Sequence, residues 1–140
     1  MRISWPGIIS ELEIAPANAS DLALAPEVLA GAQGWVLGDR GYWSCTLREE
    51  LARAGLALLA PYQSASQEKE PWPFWLFVKR RRVETVIGQL IERYHGKKNW
   101  ARDRWHLCSR WLRKLASHTL AVLLCQQHGL VPLRMSELIT

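Results

Sequence analysis

The sequence has few cysteines and no long apolar run, and both shortages exclude whole classes of protein. Its three cysteines, Cys45, Cys108 and Cys125, are too few and too scattered for a disulfide framework or a zinc site. Because no signal peptide is visible either, we expect a cytoplasmic protein in a reducing compartment. The apolar run at residues 120–125 is far shorter than the roughly 20 residues of a membrane span, so no membrane partner is expected.

Acidic residues are scarce in one part of the chain, and this shortage makes the charge strongly asymmetric. Residues 79–114 hold 12 of the 18 Lys and Arg residues but only three acids, which gives the window a charge of +9. The other residues sum to −4, and the whole chain to +5. Such asymmetry is typical of a surface that binds a polyanion, and DNA is the expected partner. A solvated helical surface is the alternative, although twelve cations in one window exceed what solubility requires.

The hydrophobic pattern predicts an α/β protein. The 140 residues, 49% of them hydrophobic, fit one globular domain with a core. The order is a β-hairpin, a helix, a strand, a helix, a strand and two long helices. Two apolar strands separated by a helix predict parallel pairing, and the whole predicts a mixed sheet with helices packed on it. The predicted elements cover, in chain order, residues 2–5 with 8–14, 20–32, 35–37, 44–54, 56–60, 76–94 (or 79–94) and 105–127.

The chain is rich in tryptophan, with eight in all. We expect Trp35 to belong to the core of a buried strand. Trp100, Trp105 and Trp111 lie among Arg and Lys residues, where an indole ring can stack on bases or pack beneath the basic side chains. Core packing is the expectation for most of them.

Two acids occur in settings that suit a metal site. Asp39 directly follows the apolar run 35–37 and Gly38, at the carboxyl end of a predicted strand, where ligands bind in open α/β sheets. Glu84 lies on the flank of a basic amphipathic helix, four residues after Arg80. Gly88, one turn later, leaves room for a ligand. One or two carboxylates with phosphate oxygens are how proteins hold Mg²⁺.

Each acid also has a plainer interpretation. Asp39 can be a turn residue, because Asp-Arg-Gly suits tight turns. Glu84 can be the surface partner of Arg80, an ion pair of little energetic weight. The four histidines, including His106 and His118, have no cysteine or acid at ligand spacing, so a role in the core or a groove is expected for them.

Several segments together resemble a known family. They are residues 15–18 with Asp21 (Ala-Pro-Ala-Asn, then Asp), 37–42, 80–90 and 101–119. Taken together, across about residues 8–125, they resemble the insertion-sequence transposases with a DDE catalytic domain of RNase H-like fold. The chain resembles the C-terminal part of a bacterial member.

The resemblance implies that Asp39 and Glu84 are catalytic and bind a divalent metal, Mg²⁺ or Mn²⁺. It implies metal-dependent DNA cleavage and strand transfer by displacement at phosphorus. It also implies contacts from a set of basic side chains to DNA phosphates. This basic set is Lys79, Arg80, Arg81, Arg82, Arg93, Lys97 and Lys98.

The sequence departs from the family in three places. Phe77 stands where many relatives have Tyr, and Ile91 where a basic residue is common. The family's first catalytic Asp lies on a central strand before the hairpin, and no acid here matches it, since Glu11 and Glu13 do not fit.

From the missing acid we expect a partial RNase H-like domain at residues 1–128 that lacks the first, central strand, followed by a tail at 129–140. We expect such a chain to be a truncated, catalytically incomplete transposase, so whether it is an enzyme stays open, and Mg²⁺ or Mn²⁺ would bind only if the site is completed. The alternative is a non-catalytic DNA-binding or regulatory fragment. Its partners would be DNA and either full-length transposase or a second copy of the chain.

Overall fold

The predicted order of elements is confirmed. The structure, a computed structural model, describes residues 1–62 and 72–138. In those residues β2 ends three residues earlier than predicted, and α3 begins at Phe74. The sequence also predicts a loop at 61–73, most of which lies outside the described residues. The elements are β1 (Arg2–Ser4), β2 (Ile8–Glu11), α1 (Asp21–Leu29), β3 (Gly34–Leu37), α2 (Cys45–Arg53), β4 (Leu56–Leu59), α3 (Phe74–Glu92) and α4 (Arg104–Gln127), with short 3-10 turns at Arg40–Tyr42 and Met135–Leu138.

The strands form two small sheets. β1 and β2 pair antiparallel as the predicted hairpin. β3 and β4 pair in parallel, with Trp35 opposite Ala57 and Leu37 opposite Leu59. In the part of the chain that the structure describes, the two sheets share no strand. The fold is therefore mixed α/β, as predicted, and is consistent with a fragment of an RNase H-like DDE domain. None of the described helices has both the length and the apolar character needed to span a membrane.

The chain divides into two compact units. Residues 1–12 and those from 81 onward form the hairpin unit, and residues 13–80 form the βαβ unit. The first seven residues of α3 belong to the βαβ unit and the remainder to the hairpin unit. The predicted domain bounds, 1–128 and 129–140, stay a prediction.

The core of the βαβ unit lies between the β3–β4 pair and helices α1 and α2. Ala25 and Leu29 of α1 and Leu47 of α2 pack with two leucines of β4, Leu56 and Leu58. Leu56 and Leu58 lie two residues apart in β4, which puts their side chains on the same face of the strand. This arrangement buries one face of the parallel pair under two helices.

Local signals in the sequence fix the ends of these helices. The side chain of Ser20 accepts a hydrogen bond from the Ala23 N–H at the start of α1, and Ser44 does the same for Leu47 at the start of α2. Each cap satisfies a backbone donor that the helix cannot, and a Ser cap is worth about 1 kcal/mol. Gly55, with φ of +78°, ends α2 in the left-handed conformation that favours glycine.

The core of the hairpin unit joins the hairpin to α3 and α4. Val86 and Leu90 of α3 pack with Leu115 of α4, and partly buried residues of the hairpin lie against them. Farther along α4, Val122 and Cys125 pack with Met135 of the last 3-10 turn. The amphipathic period predicted for α3 therefore does bury its apolar stripe.

Three tryptophans contradict the expectation of core packing. Trp35 is 71% exposed, Trp100 80% and Trp105 75%. Trp111 alone among the tryptophans of the basic window is partly buried, against the α3–α4 cluster. The prediction that Trp35 lies in a strand core was wrong because β3 is covered by helices on one face, and Trp35 lies on the other.

A buried histidine links α3 and α4. His118 is fully buried, and its Nε2 lies 3.0 Å from Oε1 of Gln89, while Nε2 of Gln89 donates to the Leu133 carbonyl at 2.6 Å. Because the glutamine oxygen accepts, the His118 proton lies on Nε2. The Tyr94 ring lies beside the imidazole, with the two ring centroids 5.9 Å and the two planes 61° apart. The role in the core expected for His118 is thus confirmed, and its burial lowers the pKa of the imidazole.

We expect the free energy of unfolding to fall when the pH is lowered below about 6.5, the ordinary pKa of histidine. Because the pKa of His118 is lowered in the folded chain, the unfolded chain binds a proton first, and stability is lost as pH falls toward the folded-state pKa. The stabilising effect is complete above about pH 6.5. Urea denaturation at several pH values measures this dependence.

The matched pair of variants is His118→Gln and His128→Gln, since His128 is exposed at the end of α4. His118→Gln should flatten the pH dependence, whatever it does to absolute stability. His128→Gln should leave it unchanged. An equal slope in the parent and in His118→Gln would contradict the assignment.

Candidate metal and nucleic-acid site

Asp39 is held in a defined turn at the carboxyl end of β3. The Gly38 N–H donates to the Leu59 carbonyl at 2.9 Å and so extends the parallel ladder by one bond. The chain then turns, and Oδ1 of Asp39 accepts a hydrogen bond from the Gly41 N–H at 2.9 Å. Asp39 is exposed. Asp39 therefore lies at the end of a strand, as the sequence predicts, and it also forms the tight turn that the sequence allows. The turn holds the carboxylate in place at the end of the strand.

A second carboxylate lies beside this turn. A Cβ placed on Gly41 would be 2.6 Å from Oδ2 of Asp21 and 3.2 Å from Oδ1 of Asp39. The two oxygens therefore approach the same side of Gly41. In the sequence, Asp21 stood out only as part of a segment that resembles the family. Its approach to Asp39 depends on the packing of α1 against the turn, which no local pattern encodes.

The negative charge of Asp21 and Asp39 affects the pKa of the neighbouring Tyr42. Burial raises the pKa of its hydroxyl group, and the charges of Asp21 and Asp39 raise it further. Two carboxylates close together favour a bound cation, and oxygen donors of this kind suit Mg²⁺ or Mn²⁺. The carboxylates of Asp21 and Asp39 therefore fit a hard divalent metal by donor type and charge.

Glu84 is exposed on α3, in the hairpin unit. A Cβ on Gly88, one turn later, would meet no atom within 4 Å, which confirms the predicted open space. Asp39 belongs to the βαβ unit, so the two predicted metal ligands fall in different units. Among the described residues, no three His, Cys, Asp or Glu side chains are grouped as a metal site. A metal shared by Asp39 and Glu84 stays a prediction.

The basic set is mostly exposed. Lys79, Arg81, Arg93, Lys97 and Lys98 are exposed on α3 and the segment after it, and Arg80 is half-buried.

Arg82 is the member of the basic set that the fold itself uses. Its guanidinium carbon lies 3.7 Å from the centroid of the Trp5 ring, and Nη1 donates to the Pro6 carbonyl at 3.0 Å. Stacking on an indole face and a hydrogen bond to the backbone are favourable for this cation. Arg82 thus ties α3 to the turn of the hairpin.

The crowding at Gly41 gives a double-mutant test. In the parent chain, Gly41→Ala has to displace the Asp21 carboxylate, whereas in an Asp21→Ala background the 2.6 Å contact is gone and only the 3.2 Å contact with Asp39 remains. We expect the two substitutions to couple by about 0.5–3 kcal/mol in the free energy of unfolding, in the sense that Asp21→Ala makes Gly41→Ala more favourable. Thermal or urea unfolding of the four chains measures the coupling.

Gly88→Ala is the matched control, because its Cβ would enter open space on a helix. It should stabilise the chain by about 1 kcal/mol and couple to Asp21→Ala by less than about 0.5 kcal/mol. A coupling of zero between positions 21 and 41 would contradict the close approach of the two.

Comparison with known proteins identifies the family. Residues 2–103 match the family model described as the transposase DDE domain. The matched segment contains both strand pairs, all of α3, Asp39, Glu84 and the complete basic set. Neither the curated proteins nor the solved structures give a match. Since the family model covers most of the chain, the protein belongs to the transposase DDE domain family.

Proposed function

We propose that the chain takes part in DNA transposition, with Asp39 and Glu84 as ligands of a divalent metal and the basic set as contacts to DNA phosphates. Family membership gives the chain a transposase-like role with DNA as substrate. The observation that carries the proposal further is the position of Asp39. It lies at the carboxyl end of a parallel strand, in a turn that fixes one of its oxygens, within the segment that the family model matches.

The residues around Asp39 fit the metal that the family generally uses. Asp39 and Asp21 supply hard oxygen donors and two negative charges in one place. A bound Mg²⁺ or Mn²⁺ would act as a Lewis acid on a phosphodiester and lower the pKa of a bound water. The hydrogen bond from Gly41 holds the Asp39 carboxylate in one orientation. Asp21 adds a second negative charge beside Asp39. This charge strengthens the attraction for a cation, and it repels a phosphate group when no cation is bound.

The cations, in contrast, fit the DNA backbone. Lys97 and Lys98 are adjacent and exposed, and Arg93 precedes them, directly after α3. Exposed cations of this kind neutralise phosphates and release counterions, which gives affinity that is independent of sequence and sensitive to salt. Direct readout of bases is not required for such binding.

We further propose that these 140 residues do not catalyse strand transfer alone. Asp39 and Glu84 account for two of the family's three acids, and no acid of the sequence matches the third. A divalent metal with one carboxylate fewer is held more weakly, because each ligand contributes charge and fixed geometry. The alternative role is a DNA-binding or regulatory fragment that competes with full-length transposase or dimerises with it. The exposure of the basic set favours this role, because DNA binding needs no third acid.

We expect the chain to bind duplex DNA without sequence preference at about 50 mM salt and to release it steeply as salt rises. Replacing both Lys97 and Lys98 with Gln should reduce the slope of log affinity against log salt by about two, since each phosphate contact contributes about one. Fluorescence anisotropy with a labelled duplex measures both quantities. Arg134→Gln is the control, because Arg134 is exposed but pairs with Glu137 at 3.3 Å. A parent chain that binds no duplex at about 50 mM salt would refute the proposal.

For catalysis, we expect no strand-transfer product from the chain with Mg²⁺ or Mn²⁺, under conditions where it binds DNA. The Asp39→Ala variant should give the same background. Gel analysis of a labelled donor end and a plasmid target provides the measurement. Robust product that Asp39→Ala abolishes would show that the chain is complete as a catalyst and overturn the claim of incompleteness.

A further inference from the structure

The two faces of β3 have opposite environments. Val36 packs with the core beneath α1 and α2, and its neighbours in the strand point the other way. Trp35 therefore lies on the uncovered face, 71% exposed, with its ring centroid 6.2 Å from that of Trp75 and the two planes 32° apart. Trp75, in the first turn of α3, is itself 48% exposed. The pair offers two indole rings to a ligand.

Other apolar side chains close to Trp75 in the sequence are exposed as well. Phe74, Phe77 and Val78, all in the first turns of α3, are exposed large hydrophobic residues. Single exposed apolar residues need no explanation, but Val78 lies three residues after Trp75, on the same face of α3, and a group such as Trp35, Trp75 and Val78 is typical of a binding surface. We refer to this pair of residues, Trp35 and Trp75, as the Trp35–Trp75 platform.

Charge indicates what this surface binds. Lys79 and Arg80 follow on the same helix, and Lys79 lies four residues after Trp75, on the same helical face. Aromatic rings beside cations are the combination that binds single-stranded nucleic acid, because bases stack on the rings and phosphates pair with the cations. A duplex, whose bases are already stacked on each other, offers no free base face to the rings.

The platform lies close to the proposed metal ligand. Trp35 is on β3, and Asp39 follows four residues later in the same unit. Four residues of chain span at most about 14 Å, so a base stacked on Trp35 lies within a few nucleotides of Asp39. An unpaired strand held here would therefore pass beside the carboxylate that the proposed function assigns to the metal.

We propose that the Trp35–Trp75 platform binds unpaired bases of single-stranded DNA, with Lys79 and Arg80 on the adjoining phosphates. The inference rests on the proposed function, since it specifies which form of DNA the βαβ unit takes. It assigns a role to two tryptophans that the core does not use. It also predicts that the chain makes stacking contacts with the bases of a single strand or a frayed DNA end, and that it makes no such contacts with an intact duplex.

The test compares one strand with the matching duplex. Fluorescence anisotropy with an oligothymidylate of about 15 nucleotides and with a duplex of equal length gives both affinities for the parent, Trp35→Ala and Trp75→Ala. We expect each variant to weaken single-strand binding about 5- to 100-fold, in line with the usual contribution of base stacking, and to change duplex binding less than about twofold. Quenching of tryptophan fluorescence by the oligonucleotide should diminish in parallel.

Leu120→Ala is the control, since Leu120 is an exposed apolar residue, 57% accessible, on α4 in the other unit. It should change neither affinity. Trp35→Phe and Trp75→Phe keep a flat aromatic face and should recover most of the single-strand affinity. Circular dichroism verifies that each variant is folded, and the phenylalanine variants carry the test if an alanine variant is not.

The outcomes separate this inference from the proposed function. If the parent binds no duplex at about 50 mM salt, the proposed function fails, and this inference fails with it. If the parent binds a duplex with the expected salt dependence but all four platform variants bind the single strand like the parent, only the platform is refuted. If the alanine variants instead change the sedimentation of the protein without DNA, the surface is a contact between copies, and the proposal is overturned.

Discussion

The parallel pairing of β3 with β4 is the constraint on which the rest of the βαβ unit depends. Its register places Val36 against the helices and Trp35 on the uncovered face. It also ends the strand at Leu37. The next hydrogen bond, from the Gly38 N–H to the Leu59 carbonyl, places Asp39 at the start of its turn. A slip of one residue would exchange the faces, burying Trp35 and exposing Val36. One register therefore determines the core, the carboxylate and the aromatic surface together.

The sequence predicted those features that local patterns encode. The stripe on α3 was recognisable as an apolar face because it depends on neighbours within about one turn, and the helix-end signals of Ser20, Ser44 and Gly55 have the same short range. The strand-end position of Asp39 was predictable for the same reason. These signals were enough for the order of the elements and for one of the two proposed metal ligands.

The features that were missed depend on contacts between distant residues. A short apolar run does not reveal whether one face or both faces of a strand will be covered, so Trp35 was assigned to the core. The meeting of Asp21 with the Asp39 turn requires α1 to pack against that turn. α3 is divided between the two units after Arg80, and an unbroken helical pattern carries no sign of that division.

Arg82 has a consequence for how charge in this chain is counted. Its guanidinium is occupied by the Trp5 ring and the Pro6 carbonyl, and the Lys114 ammonium likewise donates to the His95 carbonyl. Cations that brace the backbone are less free to follow a phosphate, so the number of counterions released on binding DNA is smaller than the number of basic residues in the window. Conversely, Trp5, which is far from the basic window in sequence, helps to determine where one of its charges lies. A neutral substitution in the hairpin would therefore alter the electrostatic surface of α3.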